Sequence, residues 1–594
     1  MPIISTVTQE TPVYARVQKI KRPNGQVDEY VQILESYRDH GKVRSRVISN
    51  LGNRRVLQSQ ALSLVKILKP SLLGSSESME PVASAPYGIT FLVHHLFSEL
   101  NLWKALDSLT RAQGWADRVA LLVTNRLSRP SSEHGLGAWL ETQYVVSRSG
   151  KRYVPVWKER GRVKVDLKWL ESFYRTLDIL IEHKEVLEKV LYHQLRDLFH
   201  LKVEVVFYDV TSSYFEGEGP PEIARYGYNR DRTRRNRQIL VGLVMVQGFP
   251  IAHHVFEGNL KDHETVETVI EDLEVRFGVG RIIFVGDRGM ITQDVLSFIQ
   301  DRQQGYLLGL PRRRREEVIR YIERIEGPGQ ECPVGINAGE KDPPPKTRVW
   351  EVRGETEGSR IFVVHSEERE AYEQAMRKRS MAQVKEELEC LKAQVTSGKL
   401  KRPEKIGYHV AKILSRRKGH RYFDWRVSEQ GGFEYFEHPV YLEQEKKIEG
   451  KYLIETKDKD LDSVEAVTEY KELAEVERGF RSLKDVVEMR PIYHQTEHRV
   501  RAHIFVAALG FLMERILEKK LKARGVNLSA KEALQALDTV SAVEFDTPSG
   551  KKSGITIGSA HARQVLGALG IDRAVLPNKT LRLPNPADVV AHRK

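Results

Sequence analysis

Cysteine is nearly absent. Cys332 and Cys390 are the only two in 594 residues. That excludes a disulfide framework or a cysteine-built zinc cluster, and it points to incidental thiols in a reducing compartment. No uncharged apolar stretch approaches the roughly 18 residues of a membrane span. The longest apolar runs, such as 239–247, read as buried strands. The opening MPIISTVTQETPVYAR lacks the basic start and apolar run of a secretory leader, so a cytoplasmic protein without a membrane partner is expected. Low-complexity tracts are missing too. What is present is a surplus of positive charge: 94 Lys and Arg against 81 Asp and Glu, a net of +13. Such a surplus helps attract a polyanion such as DNA. The length exceeds what one hydrophobic core usually supports, so about two to four domains are expected.

The pattern divides the chain. Residues 1–55 read as a small β-rich unit, with PVYARVQKI, DEYVQILESYR and KVRSRVISNLG separated by turn-like KRPNGQ and DHGK. Residues 56–200 begin with a short helix and the linker LGSSES, then become helical, with a long tract at 167–199 broken once. Trp103, Trp115, Trp139, Trp157 and Trp169 fall in 56–200, where core packing is the expected role. From 201 the period changes: strands at 201–215 and 239–258, a helix at 262–277, a strand at 281–290 and another at 305–309. Three strands, a helix and a further apolar strand are how a ribonuclease-H-like domain begins. Residues 311–455 hold two strands near 347–365, a charged helical stretch at 366–397 and more strand-like sequence, so they read as an inserted, β-rich mixed domain. The core resumes over 456–525 with helices at 463–487 and 499–523. Residues 526–594 read as a helical C-terminal region with a basic tail. The expected class is therefore α/β, a ribonuclease-H-like catalytic core interrupted by an insertion, with a small N-terminal β unit and flanking helices.

Two aspartates are expected at strand ends. Asp209 follows VEVVFY, and Asp287 follows IIFVG. A buried strand tolerates a carboxylate near its end, where water or a cation can reach it. Two such oxygen donors at one sheet edge suit Mg²⁺ or Mn²⁺; each alone could simply cap a turn. A third carboxylate comes from a patterned helix. Leu473, Val476, Phe480, Leu483 and Val487 recur at spacings of three and four and define a buried face. Tyr470, Glu477 and Lys484, seven apart, form a stripe beside it, with Arg478 and Arg481 close by. Glu477 thus sits at the border of core and groove, although a solvated face with ordinary ion pairs gives the same pattern. The segment GYNRDRTRRNRQ carries Arg230, Arg232, Arg234, Arg235 and Arg237 and reads as a phosphate-contacting loop. Arg312 to Arg315 form a second basic run. His253 and His254, beside a strand turn, read as structural, as do Trp350 and Trp425.

These segments resemble a bacterial insertion-sequence transposase of the DDE class, in the IS4-like group and its IS1634-like branch. The group's signature is Tyr, two residues, Arg, three residues, Glu, six residues, Lys. Here YKELAEVERGFRSLK matches at Tyr470, Glu477 and Lys484, while Leu473 replaces the arginine. FYDVTSSYFEG, VFEGNLKDHET, FVGDRGM and RPIYHQTEHRVRAHIFVAALGFLM resemble the family as well.

The resemblance implies that Asp209, Asp287 and Glu477 hold two divalent ions, Mg²⁺ with Mn²⁺ able to substitute. It implies cleavage at transposon ends followed by strand transfer into target DNA. Double-stranded DNA, the terminal inverted repeats and the target would be the partners, with a homodimer in the synaptic complex and nucleoid association when bound. Tyr470, Arg478, Arg481, Lys484 and the 230–237 arginines would contact DNA. A metal-dependent endonuclease without strand transfer, or a catalytically inactive DNA-binding regulator, would use much of the same sequence.

Overall fold

The computed structural model describes residues 13–577 except 22–26, 40–41, 54–79, 154–156, 160–161, 165–166, 202–204, 229–235, 279–281, 288–291, 311–314, 333–345, 417 and 548–549. The expected linker LGSSES, Arg230, Arg232, Arg234, Arg235, Arg312 to Arg314 and the tail from 578 lie outside the described residues.

Two compact units divide the chain, one of residues 1–83 and 543–553, the other of 84–542 and 554–594. The first contains an antiparallel meander of β1 (Val13–Lys21), β2 (Val27–Asp39) and β3 (Lys42–Asn53). Tyr14 pairs with Leu34 and Leu34 with Val47, and two irregularities interrupt the β2–β3 register. Arg46 and Glu35 form a cross-strand ion pair at 2.7 Å. A small sheet ordered β19-β18-β4 joins β4 (Glu80–Pro86), β18 (Ser541–Thr547) and β19 (Gly550–Ile555). The strands β18 and β19 fall inside the C-terminal region that the sequence suggested was helical, between its two expected helices, because their alternation is short and charged.

In the second unit, α1 (Gly88–Glu99), α2 (Leu102–Leu109), α3 (Trp115–Ser128) and α4 (Leu136–Thr142) precede a short hairpin of β5 (Trp157–Glu159) and β6 (Arg162–Lys164). Then come α5 (Leu167–Glu182) and α6 (Lys184–Phe199), separated at His183 as the single expected break. Trp115 and Trp139 are buried, their indole N–H groups donating to Thr176 O at 3.2 Å and Ser128 Oγ at 3.0 Å.

A mixed sheet of nine strands organises the rest. Its first part is β7 (Val205–Tyr214), β8 (Gln238–Val246), β9 (Phe249–Glu257), β10 (Ile283–Asp287) and β11 (Gly305–Gly309). They lie in the order β11-β10-β7-β8-β9, with β7, β10 and β11 parallel and β8 antiparallel to both its neighbours. Every residue of β8 is buried, as expected of a strand covered on both faces. The helices α7 (Val266–Phe277) and α8 (Gln293–Asp301) supply the crossovers to β10 and β11.

The insertion is not separate from this sheet. After α9 (Arg315–Glu323), the strands β12 (Gln330–Cys332), β13 (Thr347–Arg353) and β14 (Arg360–Ser366) extend it. The chain then forms α10 (Glu367–Thr396), α11 (Pro403–Arg416), the hairpin β15 (Phe423–Val427) and β16 (Phe433–Glu437), and α12 (Pro439–Ile448). These pack on a small core of their own that includes Val384, Leu388, Val410, Phe423 and Phe433. β17 (Lys451–Thr456) returns between β14 and β11. Four elements close the unit: α13 (Ser463–Asp485), α14 (Glu497–Ala523), α15 (Ala530–Leu537) and α16 (Ala560–Ala568). Val206, Tyr208 and Val210 belong to one apolar cluster and Phe207 to another, so the sheet separates two cores. The helix α14 feeds both, Phe505 on one side and Phe511 on the other.

Candidate active site

Alternation along β7 sets the position of the first carboxylate. Phe207 lies in the same core as α13, while Tyr208 and Val210 point to the opposite core. Asp209 shares the Phe207 face, and it lies within β7 rather than at the strand end the sequence suggested, because pairing with β8 carries the strand on to Tyr214. It is half-buried, and its Oδ1 accepts a hydrogen bond from the Val210 amide at 2.7 Å. On the parallel neighbour, Ile283 pairs with Val205, Phe284 with Val206 and Val285 with Phe207. Two residues further along both strands, Asp209 and Asp287 stand level. On its other side Asp287 is the register partner of Gly309 in β11.

Two close approaches fix α13 over these strands. The helix begins at Asp462, whose side chain accepts from the amides of Val464 and Glu465 at 2.9 and 3.4 Å. Val476, Phe480 and Leu483 are buried in the core that contains Phe207, Val285 and Leu307. At one contact, the Tyr470 hydroxyl occupies the space a side chain on Gly309 would need; a Cβ there would be 1.9 Å from Oη. At the other, a Cβ on Gly479 would lie 2.7 Å from Phe511 Cζ and 3.4 Å from Met245 Sδ, and Met245 pairs with Phe207. The helix therefore runs from above β11 to above β8, crossing β10 and β7. The seven residues from Tyr470 to Glu477 advance roughly 10 Å along the axis, and two strand spacings are also roughly 10 Å. Glu477 thus lies on the stretch of helix that crosses β7.

The basic residues fall in several settings. Arg478 and Arg481 are exposed, and Lys484 is half-buried. The Tyr470 ring stacks on Tyr452 at 5.9 Å between centroids. Leu473 packs against the same core as Val476, so the position that departs from the signature serves the apolar stripe. Of the arginine loop, Arg237 is described: its Nη1 donates to Glu218 O at 3.5 Å, and its guanidinium lies 5.7 Å from the Tyr226 ring centre. Arg315 ends the second basic run. It is paired with Glu445 and lies 3.7 Å over the Tyr441 ring, which ties α9 to α12. His253 and His254 are held by Glu188 at 2.8 Å and Asp272 at 3.2 Å. Trp350 donates to Gly327 O at 3.1 Å.

Sequence reasoning missed a buried polar cluster. Glu133, His494 and His503 bring potential ligand atoms within 4.8 Å of one another, beside a cavity of about 180 Å³ also lined by Arg126 and Arg490. Glu133 Oε2 is 3.4 Å from His494 Nε2. His503 Nε2 is 3.2 Å from Met489 O, so that nitrogen carries the proton, and Nδ1 accepts from Arg126 Nη2 at 3.3 Å. Burial opposes the Glu133 charge, but the His494 hydrogen bond and Arg126 hold its carboxyl down at about 2. Burial, with Arg126 adding, keeps His503 neutral. With both His503 nitrogens engaged and Arg126 already balancing Glu133, the cluster suits an internal network better than a cation. It pins the turn after α13, since Arg126 Nη1 donates to Glu488 O at 3.4 Å. No sequence signal joins partners so far apart in the chain.

Among the described residues, no helix is long and apolar enough to cross a membrane. Residues 15–69 match the model of the IS1634 family transposase N-terminal domain, and residues 202–513 match the model of the transposase DDE domain. The second match spans more than half of the chain and includes positions 209, 287 and 477. No curated protein matches the chain.

Proposed function

Since the chain belongs to the insertion-sequence DDE transposases of the IS1634 branch, we propose that it cuts DNA at transposon ends and joins the freed 3′ end to target DNA, using Asp209, Asp287 and Glu477 as its metal-holding carboxylates. The observation that carries this reading is the level placement of Asp209 and Asp287 on adjacent parallel strands beneath α13. Carboxylate oxygens are the donors that hard divalent cations prefer, and Asp209 is only half-buried. That donor set fits Mg²⁺, with Mn²⁺ able to replace it. A divalent pair held there supplies Lewis-acid stabilisation of charge on the attacking and leaving oxygens.

The chain's own groups bind and orient. Arg478 and Arg481, exposed on α13, and Lys484 bind backbone phosphates, with Arg237 and its neighbouring arginines extending that contact. In the first step water attacks the end phosphodiester, leaving a 3′ hydroxyl and a 5′ phosphate. In the second that 3′ oxygen attacks a target phosphodiester, gives up its proton and displaces a target 3′ oxygen. The terminal inverted repeats are the specific partners, two chains act together at synapsis, and the work takes place in the cytoplasm at the nucleoid.

The test uses Asp209→Ala, Asp287→Ala and Glu477→Ala with a pre-cleaved transposon end and target DNA. Each variant should lose both cutting and joining while keeping most DNA binding. Full cleavage by Glu477→Ala sinks the assignment, and hydrolysis without joining by the unaltered protein makes it a nuclease.

A further inference from the structure

Beyond Asp209, β7 runs five residues to Tyr214, roughly 17 Å at strand rise. Tyr214 pairs with Gln238, the first residue of β8. A second chain segment lies along Gln238: Arg225 and Gln238 exchange both backbone hydrogen bonds, at 3.1 and 2.8 Å. The following Arg225–Tyr226–Gly227–Tyr228 stretch is anchored tightly. Gln238 Nε2 donates to Tyr228 O at 3.2 Å and to Gly258 O at 2.8 Å. A Cβ on Gly227 would lie 1.9 Å from Gly258 O, so position 227 faces the protein and admits no side chain. Tyr226 and Tyr228, on either side of it, are both exposed.

The result is two large aromatic rings held outward by a fixed backbone. Tyr226 is 64% exposed and Tyr228 is 87% exposed. Residues 225–238 carry six arginines against one acidic residue, Asp231, so the ledge stands in a strongly basic stretch. Flat apolar faces in so basic a stretch of sequence match one occupant: a nucleic-acid strand whose bases are unpaired and offer a free π-face. Bases inside a duplex are stacked on each other and cannot lie on an external ring. Arg225 is paired with Glu257 at 3.4 Å, but the remaining arginines of 225–238 outnumber its one acidic residue, which favours an anionic strand over a protein partner.

We propose that Tyr226 and Tyr228 form a stacking ledge for unpaired nucleotides of the DNA strand near the cut, a role that rests on the reading of the substrate as DNA. The ledge positions the strand; it does not touch the reacting phosphate.

The experiment measures equilibrium binding of the full chain to a duplex with a short single-stranded oligothymidine extension containing 2-aminopurine, and to the same duplex blunt-ended. Tyr228→Ala and Tyr226→Ala should each weaken the extended probe by about tenfold, leave the blunt duplex unchanged and abolish fluorescence quenching of 2-aminopurine. Tyr228→Phe should retain both binding and quenching. Equal losses on both probes, or none on either, overturn the ledge. A change in sedimentation with DNA binding intact also overturns it and gives the surface to a second copy of the chain. Stacking that follows this pattern in a protein that never cuts or joins DNA supports the ledge while sinking the transposase reading, so the two fail separately.

Discussion

Asp287 ends β10 level with Asp209 on β7, and its partner on the other side, Gly309, is the residue against which Tyr470 of α13 packs. The parallel register alone thus puts two carboxylate-bearing positions at one height and brings the third element over them. A cation bound there stabilises the native state by mass action. Mn²⁺ at about a hundred times its Kd should add about 2.7 kcal/mol, seen as a raised Tm. Asp209→Asn and Asp287→Asn should each remove most of that rise without lowering the Tm in chelator. An undiminished Mn²⁺ effect in both variants contradicts the site.

The Gly309–Tyr470 approach gives a second test. Gly309→Ala would put a methyl 1.9 Å from Tyr470 Oη and 2.8 Å from Cζ, forcing Tyr470 and with it α13 to shift. Overpacking of this kind costs about 1–3 kcal/mol. Cleavage should fall with stability, and adding Tyr470→Phe should restore part of both. Urea unfolding and single-turnover cleavage read the pair; strict additivity of the two substitutions rules out the contact as the cause.

The elements that position this site were legible because their sequence signals are local. The apolar run before Asp209 and the three-and-four spacing around Glu477 each report a buried face directly. The single break at His183 also showed, since two amphipathic helices meet there. Long-range pairing did not show. Nothing in 347–366 announces that β13 and β14 continue the large sheet, because a strand joining a sheet edge alternates just as a strand of a separate domain would. Nor does the basic run announce the pairing of Arg315 with Glu445, remote in the chain. The Arg126 network was invisible for the same reason.

That network carries a large energetic stake. Arg126 is buried among Glu133, His503 and the Glu488 carbonyl. Arg126→Met leaves the Glu133 carboxylate buried with less compensation, a loss of about 3–5 kcal/mol. Arg126→Met together with Glu133→Gln should be less damaging than Arg126→Met alone. Denaturant unfolding of the four proteins completes the cycle, and a double variant worse than the sum of the singles refutes the pairing.

Glu514 makes stability depend on pH. It sits on α14, buried, and accepts a hydrogen bond from Ser482 of α13. Burial raises its carboxyl to about 7, with Glu518 adding to the rise and the Ser482 bond and Arg515 opposing it. Because the folded value lies above the ordinary carboxyl value of 4.5, the group's stabilising contribution is complete below pH about 4.5. It is lost as pH rises toward about 7, where the buried group ionises. Glu514→Gln keeps the neutral shape and an acceptor for Ser482 but cannot ionise. The Tm of Glu514→Gln relative to the unaltered chain should therefore climb between pH 4.5 and 7 and level off above. Thermal unfolding across that range reads the difference; a constant offset at every pH would show that Glu514 does not titrate in the folded protein as its burial requires.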